Sequence, residues 1–320
     1  MAARLPMWIS KNPGIQTIAI VKELIPIIRS LRVNQWTKNA VVLAAFFFAF
    51  WDPGQSTEFV GSLLRVIPAA IVFCLVSSGI YLLNDIRDRD ADRAHPFKKN
   101  RPIASGELSV PTACCVLAGL LVVGCAGAWC LAPQFFCVVA GYIALQVVYS
   151  FGLKRVALID VMVISSGFVL RAIAGAVVLH VQISEWLLLC TFFLAIFLAL
   201  CKRRHEKVLL NDLAKDHRAS LESYDEKLTD LLIAIISAVT IVCYSMYTLS
   251  PTTVEKFGTS TLGFTIPFVV FGVFRYLDLA YRHGKAGRPE KVLLTDIPIL
   301  INLVLYGITA VVIFVLGADH

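Results

Sequence analysis

Four aspartates and six basic residues crowd into YLLNDIRDRDADRAHPFKKNRPIASGELS, Tyr81 to Ser109, directly after the apolar run VIPAAIVFCLVSSGI. If that apolar helix continues past Asn84, a turn of about 100° per residue places Asp85, Asp88 and Asp92 on one face and directs Asp90 away. Three stacked carboxylates repel one another unless a cation sits among them. Carboxylate oxygens are the ligands Mg²⁺ takes, and it commonly completes its octahedron with water and substrate phosphate oxygens. Asn84 adds a neutral amide at the same end. The ordinary fate of such a charge run is a solvated helix end, paired here with Arg87, Arg89 and Arg93. Its place at a membrane boundary, followed at once by the anion-gripping Lys98, Lys99 and Arg101, favours metal-bound phosphate instead.

The elements that must position these residues are membrane helices. The chain is 58% hydrophobic and only 16% charged, whereas soluble domains carry about a quarter charged residues. Nine segments approach the ~20 apolar residues that cross a bilayer as a helix: 39–53, which is the shortest, then 63–84, 111–132, 134–151, 157–180, 183–201, 228–249, 261–279 and 297–317. The expected fold is an all-α membrane protein, one polytopic domain over residues 1–320. Residues 1–38 form its cytoplasmic arm, with an amphipathic surface helix at 17–31. The start of the chain lacks the compact apolar core and small-residue site of a cleavable leader. With the N-terminus inside, 26 of the 29 Lys and Arg residues fall on inner segments, leaving Arg65, Arg171 and Lys256. That bias predicts a cytoplasmic N-terminus, an external C-terminus and a functional inner face. It also accounts for the net charge of +7 without a nucleic-acid partner. The nine cysteines lie in or beside the spans without metal-ligand spacing and read as packing residues. His95, His205, His217 and His283 show no HExxH-like spacing, which excludes a zinc site of that kind.

NDIRDRDADR matches the NDxxDxxxD motif of the UbiA-type intramembrane prenyltransferases at Asn84, Asp85, Asp88 and Asp92, and RPIASG follows as it does there. The chain therefore resembles that superfamily over nearly its whole length. The resemblance implies nine helices enclosing a cavity open to the cytoplasm and laterally to the bilayer, with a diphosphate held through Mg²⁺ by two Asp-rich motifs.

Where the second Asp-rich motif is expected, after the sixth span, the sequence reads CKRRHEKVLLNDLAKDHRASLESY. Asp212 and Asp216 form a DxxxD well beyond the helix end. Lys202, Arg203, Arg204 and Glu206 are the residues best placed to face a cavity, so a carboxylate site has become mainly cationic. A donor with additional phosphates suits such a site, since Lys and bidentate Arg can hold phosphate directly. The usual YxxxK spacing is also one residue longer here, at Tyr149 and Lys154. Together QWTKN (35–39), the acidic motif, YSFGLK, SSGFVLRAIAG, KRRHE and SLESY resemble the decaprenyl-phosphate phosphoribosyltransferase branch of the superfamily. That branch moves a 5-phosphoribosyl group from phosphoribosyl diphosphate to a polyprenyl phosphate.

The resemblance implies that Asp85, Asp88 and Asp92 hold Mg²⁺, with Asn84 in support. Lys98 and Arg101 would meet a terminal phosphate, and Tyr149 and Lys154 the diphosphate. Lys202, Arg203 and Arg204 would hold the ribose 5-phosphate or the lipid phosphate, beside Glu206. Asp160 would serve the sugar hydroxyls, and Lys38 either contacts phosphate or snorkels to the interface. Trp36 is expected as an interfacial anchor. Arg171, the basic residue deep in a span, is expected to bond carbonyls of neighbouring helices, because an unsatisfied charge there is costly. Asp160 shares its face but lies about 16 Å away along the axis, too far to pair with it. The rival chemistry is a prenyl transfer to an aromatic or other lipophilic acceptor, which needs a carboxylate-rich second site. A transporter would carry ionisable groups along a midplane path and often internal repeats, and neither is evident.

Overall fold

The structure, a computed structural model, describes residues 24–51, 58–182, 184–211, 225–282, 287 and 289–317. All regular elements among them are helical. In chain order they are α1 (24–31), a 3₁₀ segment Val33–Leu43, α2 (Ala44–Phe50), α3 (Phe59–Arg87), α4 (Arg89–Ala94), α5 (Pro102–Ser105), α6 (Val110–Leu131) and α7 (Pro133–Phe151). There follow α8 (Ile159–Leu179), α9 (Glu185–Asn211), α10 (Glu226–Leu249), α11 (Pro251–Phe257), α12 (Ile266–Tyr281), α13 (Pro289–Thr295) and α14 (Ile297–Gly317).

Eight helices among the described residues are long and apolar enough to span a bilayer: α3, α6, α7, α8, α9, α10, Thr261–Tyr281 and α14. They coincide with the second to ninth expected spans. The first, 39–53, is not one long α-helix. An eleven-residue 3₁₀ segment runs into the seven-residue α2, and 3₁₀ runs of that length are uncommon. The buried residues of the 3₁₀ segment, Asn39 and Val42, are held from α8. Asn39 accepts a hydrogen bond from Arg171, and the Val42 carbonyl lies so close to Gly175 that any Cβ there would collide with backbone. Gly175 thus lets the backbone of the 3₁₀ segment approach α8 closely.

The residues divide into two compact units, Met1–Trp36 with Cys74–Gly124 and Thr37–Phe73 with Cys125–His320. In the first, Leu82, Ile103, Leu108 and Ala113 form a buried core with Ile27, Leu31 and Ile86 packed on it. Each leucine or isoleucine side chain contributes about 1.5–3 kcal/mol when fully buried. Pro102 opens α5, where its missing N–H costs nothing, and Gly106 ends it at φ 86°. Trp36 donates through Nε1 to Ser78 Oγ at 3.0 Å, and Ser78 donates to the Leu31 carbonyl at 2.8 Å. Trp36, expected as an interfacial anchor, is in the structure a strut from the start of the 3₁₀ segment to α3.

In the second unit α9 packs against both α8 and α10, α7 and α2 lie on α8, and α12 joins α10 to α14. Val161, Phe197, Leu200, Cys201, Ile233, Val273 and Leu279 belong to a core within it. Asp225 caps α10, accepting from the Leu228 N–H at 3.0 Å, which satisfies one of the orphan donors of the first turn. Arg171 is 4% exposed. It donates to Asn39 Oδ1 at 2.7 Å, the Gly167 carbonyl at 2.8 Å and the Tyr142 hydroxyl at 2.9 Å. The expected structural role holds, although the carbonyl it finds belongs to its own helix and the bonds to other elements go to side chains. All nine cysteines are unbridged.

Candidate active site

The acidic motif lies where α3 hands over to α4, in the first unit. α3 ends at Arg87, and Asp88 stands between the helices at φ −90°, ψ 7°. Helical bonding still runs through the junction, from Asp88 N–H to the Asn84 carbonyl at 2.9 Å and from Asp92 N–H to the Asp88 carbonyl at 2.7 Å. The i, i+7 relation of Asp85 and Asp92 therefore survives the break. Both carboxylates are buried, with side chains 3% and 6% exposed. One atom joins them, because Arg101 Nη1 donates to Asp85 Oδ1 at 3.0 Å and to Asp92 Oδ2 at 2.6 Å. Burial lifts the Asp92 carboxyl above the ordinary carboxylate range, with Arg101 and Lys98 pulling it back down. Asp90 points away, to Arg89 and Arg93 at the surface.

Asp85 carries a second cation, Arg32, which the sequence reading missed. Its Nη2 donates to Asp85 Oδ1, and its guanidinium lies 5.2 Å from the centre of the Tyr81 ring. Arg32 has φ 53°, a left-handed conformation that costs a non-glycine residue about 1–3 kcal/mol and persists when surrounding contacts fix it. The residue lies just past α1, where helices often end left-handed, usually on glycine.

The second unit gathers a different set. Asp160, fully buried in the first turn of α8, accepts from Arg203 Nε of α9 at 2.7 Å. Arg203 Nη1 donates to Glu206 one turn on at 2.5 Å, and Lys202 Nζ lies 3.9 Å from the same carboxylate. Tyr149 and Lys154 of this unit are buried, at the end of α7 and in the 3₁₀ turn Leu153–Arg155. Leu158, two residues before Asp160, has φ 67° and ψ −44°, and the Ile159 N–H bonds back to the Ala157 carbonyl at 2.8 Å. This resembles the rare, strained γ-turn. Strain of this kind collects at functional sites.

Several expected phosphate ligands stand differently. Arg203 is clamped by two carboxylates. Arg204 donates to Asp230 at 2.6 Å and lies 3.8 Å from the centre of the Tyr281 ring, whose hydroxyl also bonds Asp230 at 2.8 Å. Both guanidiniums thus take carboxylate partners that lie 26 to 43 residues away in the chain. Asn84, Asp88, Lys38 and Lys98 are half-buried. Asp212, Asp216, His217, SLESY, His283 and the 17–23 part of the amphipathic segment lie outside the described residues.

The donor chemistry fits Mg²⁺ in the first unit. Two buried carboxylates converge on a single cationic nitrogen, and hard oxygen ligands of this kind suit that ion. Among the described residues no three His, Cys, Asp or Glu side chains are drawn together as a ready metal cluster. What stands there is a carboxylate pair already spanned by a guanidinium.

Residues 40–295 match the UbiA prenyltransferase family. The decaprenyl-phosphate phosphoribosyltransferase of Mycobacterium tuberculosis is 36% identical over 272 residues, 84% of this chain and 88% of its own length. That of Mycolicibacterium smegmatis is 37% identical over 278 residues, 84% and 86% of the two chains. Among solved structures, a UbiA homolog from Archaeoglobus fulgidus bound to DMAPP and Mg²⁺ superposes with a TM-score of 0.65, covering 92% of this chain and 98% of its own at 19% identity. That is a likeness of fold. With eight apolar spans, the motif-bearing helix junction and these similarities, this multi-pass membrane chain belongs to the UbiA prenyltransferase family.

Proposed function

We propose that the protein is a Mg²⁺-dependent phosphoribosyltransferase, one transferase domain over residues 1–320 acting at the cytoplasmic face of the cell membrane, N-terminus in and C-terminus out. The donor is phosphoribosyl diphosphate and the acceptor a polyprenyl phosphate of the decaprenyl class. The observation that carries this reading is the similarity, over 84% of the chain, to enzymes named for that transfer. The clamp on Arg203 fits it, because the carboxylates of Asp160 and Glu206 already have their cation from the protein.

In the reaction an oxygen of the lipid phosphate bonds to C1 of the ribose as the C1–oxygen bond to diphosphate breaks. Positive charge spreads over the sugar while negative charge grows on the leaving group, so positioning and charge stabilisation supply the catalysis. Asp85, Asp88 and Asp92, with Asn84, would hold Mg²⁺, which supplies charge neutralisation to a bound diphosphate. Lys98 and Lys154 serve as direct cationic contacts, Tyr149 as a hydroxyl donor and Lys38 as an entry contact for anions. Asp160 and Glu206 fix Arg203, and Lys202 is the basic residue of that stretch with the most exposed side chain among the three for which ion pairs are seen. The lipid phosphate is already ionised near neutral pH and needs no strong base.

The test is incubation of the purified protein with Mg²⁺, phosphoribosyl diphosphate and decaprenyl phosphate, with mass spectrometry of the lipid. A phosphoribosylated lipid that disappears without Mg²⁺ and in Asp88→Ala supports the reading. A prenylated aromatic acceptor formed from geranylgeranyl diphosphate, with no phosphoribosyl lipid, overturns it in favour of ordinary prenyl transfer.

A further inference from the structure

The Arg101 guanidinium occupies the position between Asp85 and Asp92 that a divalent cation would take. Both oxygens lie within 3.0 Å of its Nη1. The backbone of Arg101 is fixed, because Pro102 holds the preceding residue extended and the Arg101 carbonyl accepts the Ser105 N–H at 2.8 Å, as part of the α5 turn. The side chain is 28% exposed, so it already borders solvent. If it leaves, Asp85 keeps Arg32, and one carboxylate of the pair is never without a partner.

Charge decides when it leaves. Asp85 and Asp92 face two guanidiniums, those of Arg32 and Arg101, and Lys98 acts on Asp92 besides. A divalent ion entering alone would add positive charge where cations already match the carboxylates, and would leave the guanidinium with water in place of two charge-assisted hydrogen bonds. An ion arriving with a diphosphate brings that anion along, and a guanidinium binds phosphate oxygens in the same bidentate manner as carboxylate.

We infer that Arg101 is an exchangeable counter-ion: it holds Asp85 and Asp92 until the donor arrives, then passes to the donor's diphosphate as the divalent cation takes its place. This rests on the assignment of the acidic motif to metal. It makes metal and diphosphate binding mutually dependent, and reciprocal coupling of that sort amounts to about 5–150-fold in affinity.

The experiment is Mn²⁺ binding to the full chain in detergent, read from loss of the free Mn²⁺ electron paramagnetic resonance signal, with and without inorganic diphosphate and against a protein-free diphosphate blank. Wild type is expected to bind Mn²⁺ at least about tenfold more tightly with diphosphate. Arg101→Gln is expected to bind Mn²⁺ alone at least about tenfold more tightly than wild type and to lose most of the diphosphate gain. Arg101→Lys keeps the charge and should retain the wild-type dependence, which separates charge from packing if the glutamine variant folds poorly. Equal Mn²⁺ affinity in wild type and Arg101→Gln, or tight binding to wild type without diphosphate, overturns the exchange while leaving the metal assignment intact. Absence of Mn²⁺ binding by every protein, diphosphate included, overturns the metal assignment itself.

Discussion

Each unit of the molecule contains a pair of carboxylates spanned by one arginine, yet the two arrangements differ in how far the arginine is committed. Arg101, between Asp85 and Asp92, sits on a short connection with its side chain 28% exposed. Arg203, between Asp160 and Glu206, sits inside a membrane helix with its side chain 4% exposed, against an aspartate at 0% and a glutamate at 29%. A cation in the first setting can be replaced from solution. One in the second is part of the interior, because removing a partner from a buried pair leaves an uncompensated charge. The same chemical motif therefore serves exchange in one unit and permanence in the other.

The largest effect belongs to the buried pair. Arg203→Met is expected to cost about 3–5 kcal/mol, seen as a lowered unfolding temperature in detergent, with Asp160→Asn in the same chain recovering part of it. Added Mg²⁺ should not restore the single variant; restoration would make the two pairs alike and break the contrast. Next in size, Asp85→Asn should lower phosphoribosyl-lipid formation by about 10²–10³-fold, the usual loss when a preorganised electrostatic group is removed, with a smaller change in unfolding temperature than Arg203→Met. A loss of stability matching that of Arg203→Met would show that the first pair too is structural. Arg32→Gln, leaving Asp85 with Arg101 alone, should cost about 1 kcal/mol, since Arg32 is partly solvated. It should also weaken the dependence of Mn²⁺ binding on diphosphate less than Arg101→Gln does. The smallest effect is at Asp90, whose side chain is 77% exposed: Asp90→Ala should change neither rate nor unfolding by more than about 0.5 kcal/mol.

The sequence was most legible where one helix carries the signal. Runs of apolar residues located the eight spans, and helical spacing alone separated Asp90 from Asp85 and Asp92. It was least legible where partners come from distant positions. Arg32 lies 53 residues from Asp85, and Arg203 lies 43 from Asp160, distances across which no local period exists. The basic stretch KRRHE reads as three free cations in a row, but a helix turns each residue to a different face. Arg203 and Arg204 accordingly meet different carboxylates on different helices. The first expected span misled for another reason. Hydropathy reports how apolar a segment is and not how tightly it winds, so the 3₁₀ geometry of Val33–Leu43 was invisible.

Arg171 also bears on how the protein is made. A lone arginine at the centre of a membrane helix raises the cost of insertion by about 2.5–3.5 kcal/mol. Its three partners, Asn39, Tyr142 and Gly167, all precede it in the chain. Synthesis runs from the N-terminus, so when α8 leaves the ribosome the amide and the hydroxyl that will receive the guanidinium have already been translated. The order of residues along the gene thus matches the order in which a biosynthetic intermediate needs them, and α8 can enter the bilayer beside partners made before it.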